Sequence, residues 1–196
     1  MHSKNTRFQQ GMGNTDSLWD FSVTIYQQPA VSHACLSLQD LLGLDVNVLL
    51  FCCWFGCTRG LLDGPTFNNA LDFSKPWAEE VVYPLRAARI WMKVNNCAQT
   101  VSQKLLREKI KTVELEAEHL QQDFLESLSL TKPTKFVEPE LQLKNIASNL
   151  QRYLKHCDVH LDNPSLSELA HIVTAAISNI EKTVVLKTLD ISFQDT

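Results

Sequence analysis

The sequence predicts an all-α protein: a helical bundle with one long amphipathic helix and a helical C-terminal extension. Apolar residues recur at spacings of three and four through most of the chain, which is the period of a helix with one buried face. Only 6 Gly and 7 Pro occur among the 196 residues, so few of the residues that tight turns require are present. A heptad pattern between Val101 and Leu130 adds a third indication, because it is typical of a long helix.

The first two helices are predicted from their caps as well as from their spacing. Asp16 or Ser17 is placed to cap a first helix with the sequence LWDFSVTIYQQ. Pro29 suits the first position of a second helix, PAVSHACLSLQDLL, and Gly43 suits the position just beyond its end.

The stretch GLDVNVLLFCCWFGC, residues 43–57, is the most apolar part of the chain. Its uninterrupted apolar run is about half of the roughly 20 residues that a membrane helix needs, and Asp45 and Asn47 at its head are costly in lipid. Asp45 is in position to cap a helix, with Asn47 in the first turn. We therefore predict a buried core helix here and no membrane span.

Two further helices are predicted before the long one. Pro65 or Thr66 opens a short helix that ends at Asp72. Ser74 is then placed to cap a longer helix, KPWAEEVVYPLRAARIWMKVN, in which Pro84 predicts a kink.

The long helix, Val101 to Leu130, carries a heptad seam in which apolar residues alternate steps of four and three. The seam consists of Leu106, Ile110, Val113, Ala117, Leu120 and Phe124. After the linker TKPTKFVEPE, a helix is predicted from Pro139 to Cys157, and another is capped by Asn163. The final stretch TVVLKTLDISF fits either a fraying helix or a short strand.

These elements divide the chain into a disordered lead-in (residues 1–16), a helical core domain (17–130) and a helical C-terminal extension (131–196). The polar start has no apolar core of a signal peptide, so we expect a cytoplasmic protein. The formal net charge of −4 and a pI near 5.8 provide no electrostatic reason to expect nucleic acid. In a reducing compartment the 6 cysteines are expected to be free, small and buried.

Three segments, in this order and spacing, resemble a known protein family. They are LWDFSVTIYQQPAVSHACLSLQD, GLDVNVLLFCCWFG and PWAEEVVYPLRAARIWMK, and the resemblance spans roughly Leu18 to Leu128. The family is an uncharacterised proteobacterial one of small cytoplasmic proteins, labelled as a domain of unknown function. The resemblance implies no activity, substrate or catalytic residue.

A polar cluster among the early helices is the candidate ligand site. Carboxylates beside apolar helices need partners, and two arginines three residues apart share a helix face. The candidate ligand-binding residues are Trp19, Asp20, Asp40, Asp45, Asn47, Trp54, Trp77, Arg86 and Arg89. They predict either a pocket for a small anionic ligand or structural Asp–Arg pairs that set the order of the helices.

The long helix is the candidate partner surface. Its first half is basic and its second half acidic, which is opposite to the preference of its own dipole. Such a helix can pair with a second copy of itself or with another protein helix, or its seam can pack on the core helix. The candidate partner-binding residues are Leu106, Ile110, Val113, Leu120 and Phe124.

Other chemistries find weak support. His156, Cys157 and His160 form an incomplete ligand set, so we predict no metal site and no cofactor. No catalytic motif is present, and whether the protein is an enzyme stays open, with a non-enzymatic role favoured. The function predicted first is therefore a cytoplasmic interaction or regulatory protein that acts through the long helix. The alternative is a small-molecule binder, or an enzyme, that uses the Asp/Arg/Trp pocket.

Overall fold

The computed structural model describes residues 17–95, 100–129 and 138–193, and all regular structure within them is helical. This confirms the predicted all-α bundle. The helices are α1 (Leu18–Tyr26), α2 (Pro29–Leu42), α3 (Val46–Thr58), α4 (Gly64–Trp77), α5 (Tyr83–Val94), α6 (Val101–Ser127), α7 (Pro139–His156), α8 (Asn163–Ala176) and α9 (Lys182–Phe193). The predicted lead-in, residues 1–16, and Leu130 lie outside the described residues.

The predicted starts of α1 and α3 and the predicted end of α2 are confirmed. The Ser17 hydroxyl accepts a hydrogen bond from the Asp20 backbone N–H (3.1 Å), and the Asp45 carboxylate accepts one from Asn47 N–H (2.8 Å). Gly43 ends α2 with a φ of 68°, a left-handed conformation that glycine adopts without steric cost.

The apolar helix α3 lies at the centre of the bundle. Every residue from 47 to 57 is buried, because α3 is covered on one side by α7 and on its other sides by α1, α6 and α8. The second extensive helix pair is α2 against α8. The helices after residue 138 thus pack directly on helices of the predicted core domain. None of the described helices combines the length and apolar character needed to cross a bilayer.

Helices α3 and α7 approach each other closely at Gly56. A Cβ atom on Gly56 would lie 2.6 Å from Ile146 Cγ1 and 2.8 Å from the Ile146 backbone nitrogen. Real Cβ atoms do not come that near to backbone atoms, so the helix crossing requires a residue without a side chain here.

The segment between residues 63 and 94 differs from the prediction. Asp63 caps α4 by accepting a hydrogen bond from Thr66 N–H (2.7 Å), and α4 continues past Ser74 instead of ending before it. Ser74 is buried on the inner face of the helix, so its hydroxyl is not available as a cap. A π-helical segment (Ala78–Val82) joins α4 to α5 just before Pro84, and the kink at Pro84 stays a prediction. A local π turn accommodates the carbonyl that proline, which lacks an N–H, cannot satisfy.

Two details of the C-terminal helices are also corrected or resolved. Asp162, rather than Asn163, caps α8 by accepting a hydrogen bond from Ser165 N–H (2.9 Å). The ambiguous final stretch is helical, forming α9. At the start of α6, Thr100 and Gln103 form a reciprocal capping box, a feature that was not predicted.

Five cysteines in the described residues are free thiols, as predicted. Four of them are buried (Cys35, Cys52, Cys53 and Cys57), and Cys157 is half-buried. Burial raises the pKa of Cys35 and of Cys57 to about 12, which removes their thiolate nucleophilicity at neutral pH. Cys97 lies outside the described residues.

Candidate functional site

A cleft of about 590 Å³ opens between α1, α2, α3, α5 and α6. Most of its wall is apolar, from the side chains of Trp19, Val23, Leu36, Val46, Leu50 and Leu115. Its charged side chains are Arg86 and Arg89 of α5 with Lys111, Glu114 and Glu118 of α6. The site therefore combines an apolar body with a charged rim, which is the usual composition of a small-molecule pocket.

Arg86 and Arg89 are both held by carboxylates of α6. Arg86 Nε donates to Glu114 Oε1 (3.0 Å), while its two terminal nitrogens donate to Gln39 and to Glu118. Arg89 binds both carboxylate oxygens of Glu114, with Nη2 lying 2.9 Å from Oε1. Such forked arginine–carboxylate pairs are stronger and more directional than single contacts.

This network forms because α5 and α6 each carry a pair of charged residues at helical spacing, and the two pairs face each other. Arg86 and Arg89 are three residues apart, and Glu114 and Glu118 are four apart, so each pair shares one helix face. Because α5 and α6 pack against each other, the two faces meet. Glu114 and Glu118 were absent from the sequence-derived set, although their spacing opposite the arginine pair was a usable signal.

The two carboxylates of the network differ in their protonation equilibria. Burial raises the pKa of Glu114, but the bonds from Arg89 and Arg86 more than offset burial, and the net pKa is below its ordinary 4.5. Burial also raises the pKa of Glu118, and the attraction of Arg86 offsets it only in part, so that pKa stays above 4.5. Glu114 is therefore the stabilised anion of the site.

Asp45 and Asn47, two of the candidate ligand residues, instead link α3 to α6. Gln121 donates to the Asp45 carboxylate (2.7 Å) and accepts from Asn47 Nδ2 (2.9 Å), and Gln122 donates to Asn47 Oδ1 (2.7 Å). The Asp45 backbone N–H donates to the Tyr153 hydroxyl (2.9 Å). Burial raises the pKa of Asp45, partly opposed by these hydrogen bonds, and neither residue lines the cleft.

The three candidate tryptophans lie in different places. Trp19 lines the cleft and stacks on His119 with ring centroids 4.0 Å apart. Trp54 is completely buried in the core. Trp77 packs on α6 outside the cleft, where its indole N–H donates to the Ala117 carbonyl (3.0 Å).

The remaining two candidates, Asp20 and Asp40, are exposed and do not line the cleft. Of the nine candidate ligand residues, the structure brings together Trp19, Arg86 and Arg89 at the cleft. The other cleft residues, Lys111 among them, were not predicted as ligand-binding, because only the packing of five helices places them side by side. In the described residues, no group of three His, Cys, Asp or Glu side chains is arranged to hold a metal ion.

Two buried polar atoms of the cleft wall have no hydrogen-bond partner. They are the Ser22 hydroxyl and the Gln122 side-chain carbonyl, on residues that are 4% and 3% exposed. An unsatisfied buried polar group costs free energy, and native proteins seldom leave one without a reason. Both residues belong to the lining of the cleft.

Helix α6 also presents an exposed apolar stripe on a different face. Leu106, Val113 and Leu120 are 52%, 46% and 57% exposed. The rest of the seam is more covered, since Ala117 is buried and Phe124 stacks on Phe73 of α4. The seam therefore does not pack on α3 as a unit, and the residues of α6 that α3 contacts include the neighbouring Gln121 and Gln122.

The acidic second half of α6 is also explained by its contacts. Glu114 and Glu118 pair with the arginines of α5, and Glu126 accepts a hydrogen bond from the Leu18 backbone N–H at the start of α1 (2.7 Å). A carboxylate at a helix N-terminus interacts favourably with the helix dipole. These tertiary contacts offset the unfavourable order of charges along α6 itself.

Comparison with known proteins finds one family. A family model described as "Protein of unknown function (DUF2390)" matches residues 17–125, more than half of the chain. Every cleft-lining side chain falls within the matched range. No curated protein and no solved structure matches the chain.

Proposed function

This chain belongs to the DUF2390 family, whose function is unknown, and we propose that it binds a small organic molecule in the cleft between α1, α2, α3, α5 and α6. The observation that carries the proposal is the convergence of paired charges on one rim of a largely apolar cleft. A volume of about 590 Å³ lies within the range of ligand pockets. From the sequence resemblance, we also propose that the protein is cytoplasmic and comes from a proteobacterium.

Binding without covalent chemistry fits the lining of the cleft. No histidine or cysteine is among the described side chains that form its wall. The arginines already have carboxylate partners, so the charged rim is organised before a ligand arrives. A preorganised site loses less free energy on binding than one that must be ordered by its ligand.

Leu115→Trp tests the site, because Leu115 lines the cleft and is 50% exposed, so a larger side chain fills the opening with little effect on folding. The probe is N-phenyl-1-naphthylamine, an uncharged apolar fluorophore that is excited outside tryptophan absorption. We expect Leu115→Trp to weaken its binding by about tenfold, or about 1.4 kcal/mol.

Leu120→Trp is the matched control, since Leu120 lies on the same helix with similar exposure (57%) but outside the cleft. Its affinity for the fluorophore is expected to equal that of the parent protein. If the parent protein does not bind the fluorophore, or if both variants bind it equally, the cleft is not the site. Native mass spectrometry of the same variants then identifies the natural ligand, as a fixed extra mass that Leu115→Trp alone loses.

The exposed stripe of α6 favours a second candidate function, pairing with a second copy of the chain. In an antiparallel pair centred on Val113, Leu106 of each copy faces Leu120 of the other. The same register brings Lys109 of each copy beside Glu116 of the other, so the order of charges along α6 becomes complementary. An antiparallel partner with the same charge order is therefore favoured over a parallel one.

Leu106→Glu combined with Leu120→Glu is expected to convert a dimer into a monomer, measured by analytical ultracentrifugation. Both side chains are exposed, so the thermal unfolding midpoint of the monomer should change little. Lys109→Glu should weaken the dimer, and adding Glu116→Lys should restore it. A parent protein that is monomeric at all concentrations tested, or a double charge swap without rescue, would contradict the pairing.

A further inference from the structure

The charges on the cleft rim are unequal. Three cationic side chains (Arg86, Arg89 and Lys111) face two carboxylates (Glu114 and Glu118). Both arginines are engaged by those carboxylates, while Lys111 takes part in none of the ion pairs formed within the described residues. Lys111 is exposed, and an anion beside it would balance the charges of the lining. The rim therefore has room for one further negative charge, at Lys111.

One of the unsatisfied polar atoms, the Gln122 carbonyl, lies well away from Lys111 along α6. Lys111 and Gln122 both line it and are eleven residues apart on α6, which corresponds to about 16 Å along the helix axis. Leu115 lies between them on the same wall. The Gln122 carbonyl can only accept a hydrogen bond, and the Ser22 hydroxyl can donate or accept. A ligand group that donates a hydrogen bond would satisfy the Gln122 carbonyl.

We propose that the ligand is an elongated organic monoanion with its charged group at Lys111, an apolar middle along Leu115, and a hydrogen-bond donor at Ser22 and Gln122. This inference rests on the proposed function and specifies the ligand class of the same cleft. A carboxylate, a sulfonate or a phosphate diester would supply the single charge. A hydroxyl or an amide N–H at the far end would satisfy the Gln122 carbonyl.

The test is competition for the cleft against N-phenyl-1-naphthylamine by three ten-carbon compounds. They are 10-hydroxydecanoate, which has both groups, decanoate, which lacks the donor, and 1,10-decanediol, which lacks the charge. We expect 10-hydroxydecanoate to displace the fluorophore at a concentration about fivefold lower than either of the others, the effect of one net hydrogen bond or one partly exposed ion pair. A purely apolar cleft would instead favour decanoate over its hydroxylated form, because a hydroxyl is costly to bury unpaired.

Two substitutions test which end of the cleft binds the charged group of the ligand and which end binds its hydrogen-bond donor. Lys111→Met should remove the advantage of 10-hydroxydecanoate over the diol, while Lys109→Met, on an exposed residue that does not line the cleft, should leave it intact. Ser22→Ala should reduce its advantage over decanoate and leave the advantage over the diol. Equal displacement by all three compounds, or better displacement by decanoate, would overturn the inference while leaving small-molecule binding in place. Failure of the fluorophore itself to bind would instead overturn the proposed function.

Discussion

Replacing Gly56 by alanine is expected to destabilise the protein by about 3 kcal/mol, at the upper end of the cost of overpacking a core. The added methyl group would lie 2.8 Å from the Ile146 backbone nitrogen and 2.9 Å from its Cα, atoms that no change of rotamer can move. The direction of the change in the free energy of unfolding tests the close helix crossing, because the same substitution in an unconstrained helix stabilises by up to about 1 kcal/mol. Urea unfolding followed by circular dichroism measures the difference.

Gly64→Ala is the matched control for this prediction. Gly64 is the first residue of α4, and a Cβ atom there would have Arg152 Nη2 as its nearest neighbour, at an ordinary contact distance of 3.7 Å. We expect its free energy of unfolding to lie within about 0.5 kcal/mol of the parent value. If Gly56→Ala were equally mild, α3 and α7 would not cross as closely as described.

Replacing Glu114 by glutamine is expected to cost about 2 kcal/mol of folding free energy. Breaking a fully buried ion pair costs about 3 to 5 kcal/mol, and that value is reduced here because the side chains of Arg86 and Arg89 keep 17% and 23% of their exposure. The substitution removes the charge that both guanidinium groups share. Urea unfolding at pH 7 measures the loss.

Glu118→Gln is the contrasting variant on the same helix face. Burial raises the pKa of Glu118 more than Arg86 lowers it, so its ionised form gains no net stabilisation from the fold. We expect the neutral isostere to leave the free energy of unfolding within about 0.5 kcal/mol of the parent, or to raise it. Equal losses in the two variants would show that the arginines do not distinguish the two carboxylates.

The loss in Glu114→Gln should also depend on pH. The pKa of Glu114 is depressed in the folded state, so the ionised carboxylate contributes stability above its ordinary pKa of 4.5. That contribution is lost as the pH falls below 4.5 and through the folded-state pKa. The difference between the parent protein and Glu114→Gln should therefore shrink below pH 4.5, and a constant difference down to pH 3 would contradict the assignment.

The local features of the fold were determined by the sequence itself. Ser17, Asp45 and Gly43 end or begin helices through hydrogen bonds and backbone conformations that involve only their immediate neighbours. The burial of α3 was equally predictable, because a helix that is apolar all round must be covered on all sides. Each of these inferences needs only the composition and period of a short segment.

The identity of the contacting partners was decided by the tertiary structure. The spacing of Glu114 and Glu118 suits the arginine pair, but the sequence does not show that α6 packs on α5 so that the pairs meet, nor that Asp45 is bound to Gln121. Likewise, Trp19 and Trp54 both read as aromatic residues on apolar helices, yet one lines the cleft and the other lies in the core.

The heptad seam of α6 is a second example, because its residue spacing predicts a helix face but not the helix that packs on that face. Its spacing correctly indicated a long helix, but part of the seam is covered by α4 while Leu106, Val113 and Leu120 stay exposed. A periodic pattern specifies which residues share a face. Which neighbour covers that face depends on how all the helices share the available apolar surface, and this is a property of the folded chain as a whole.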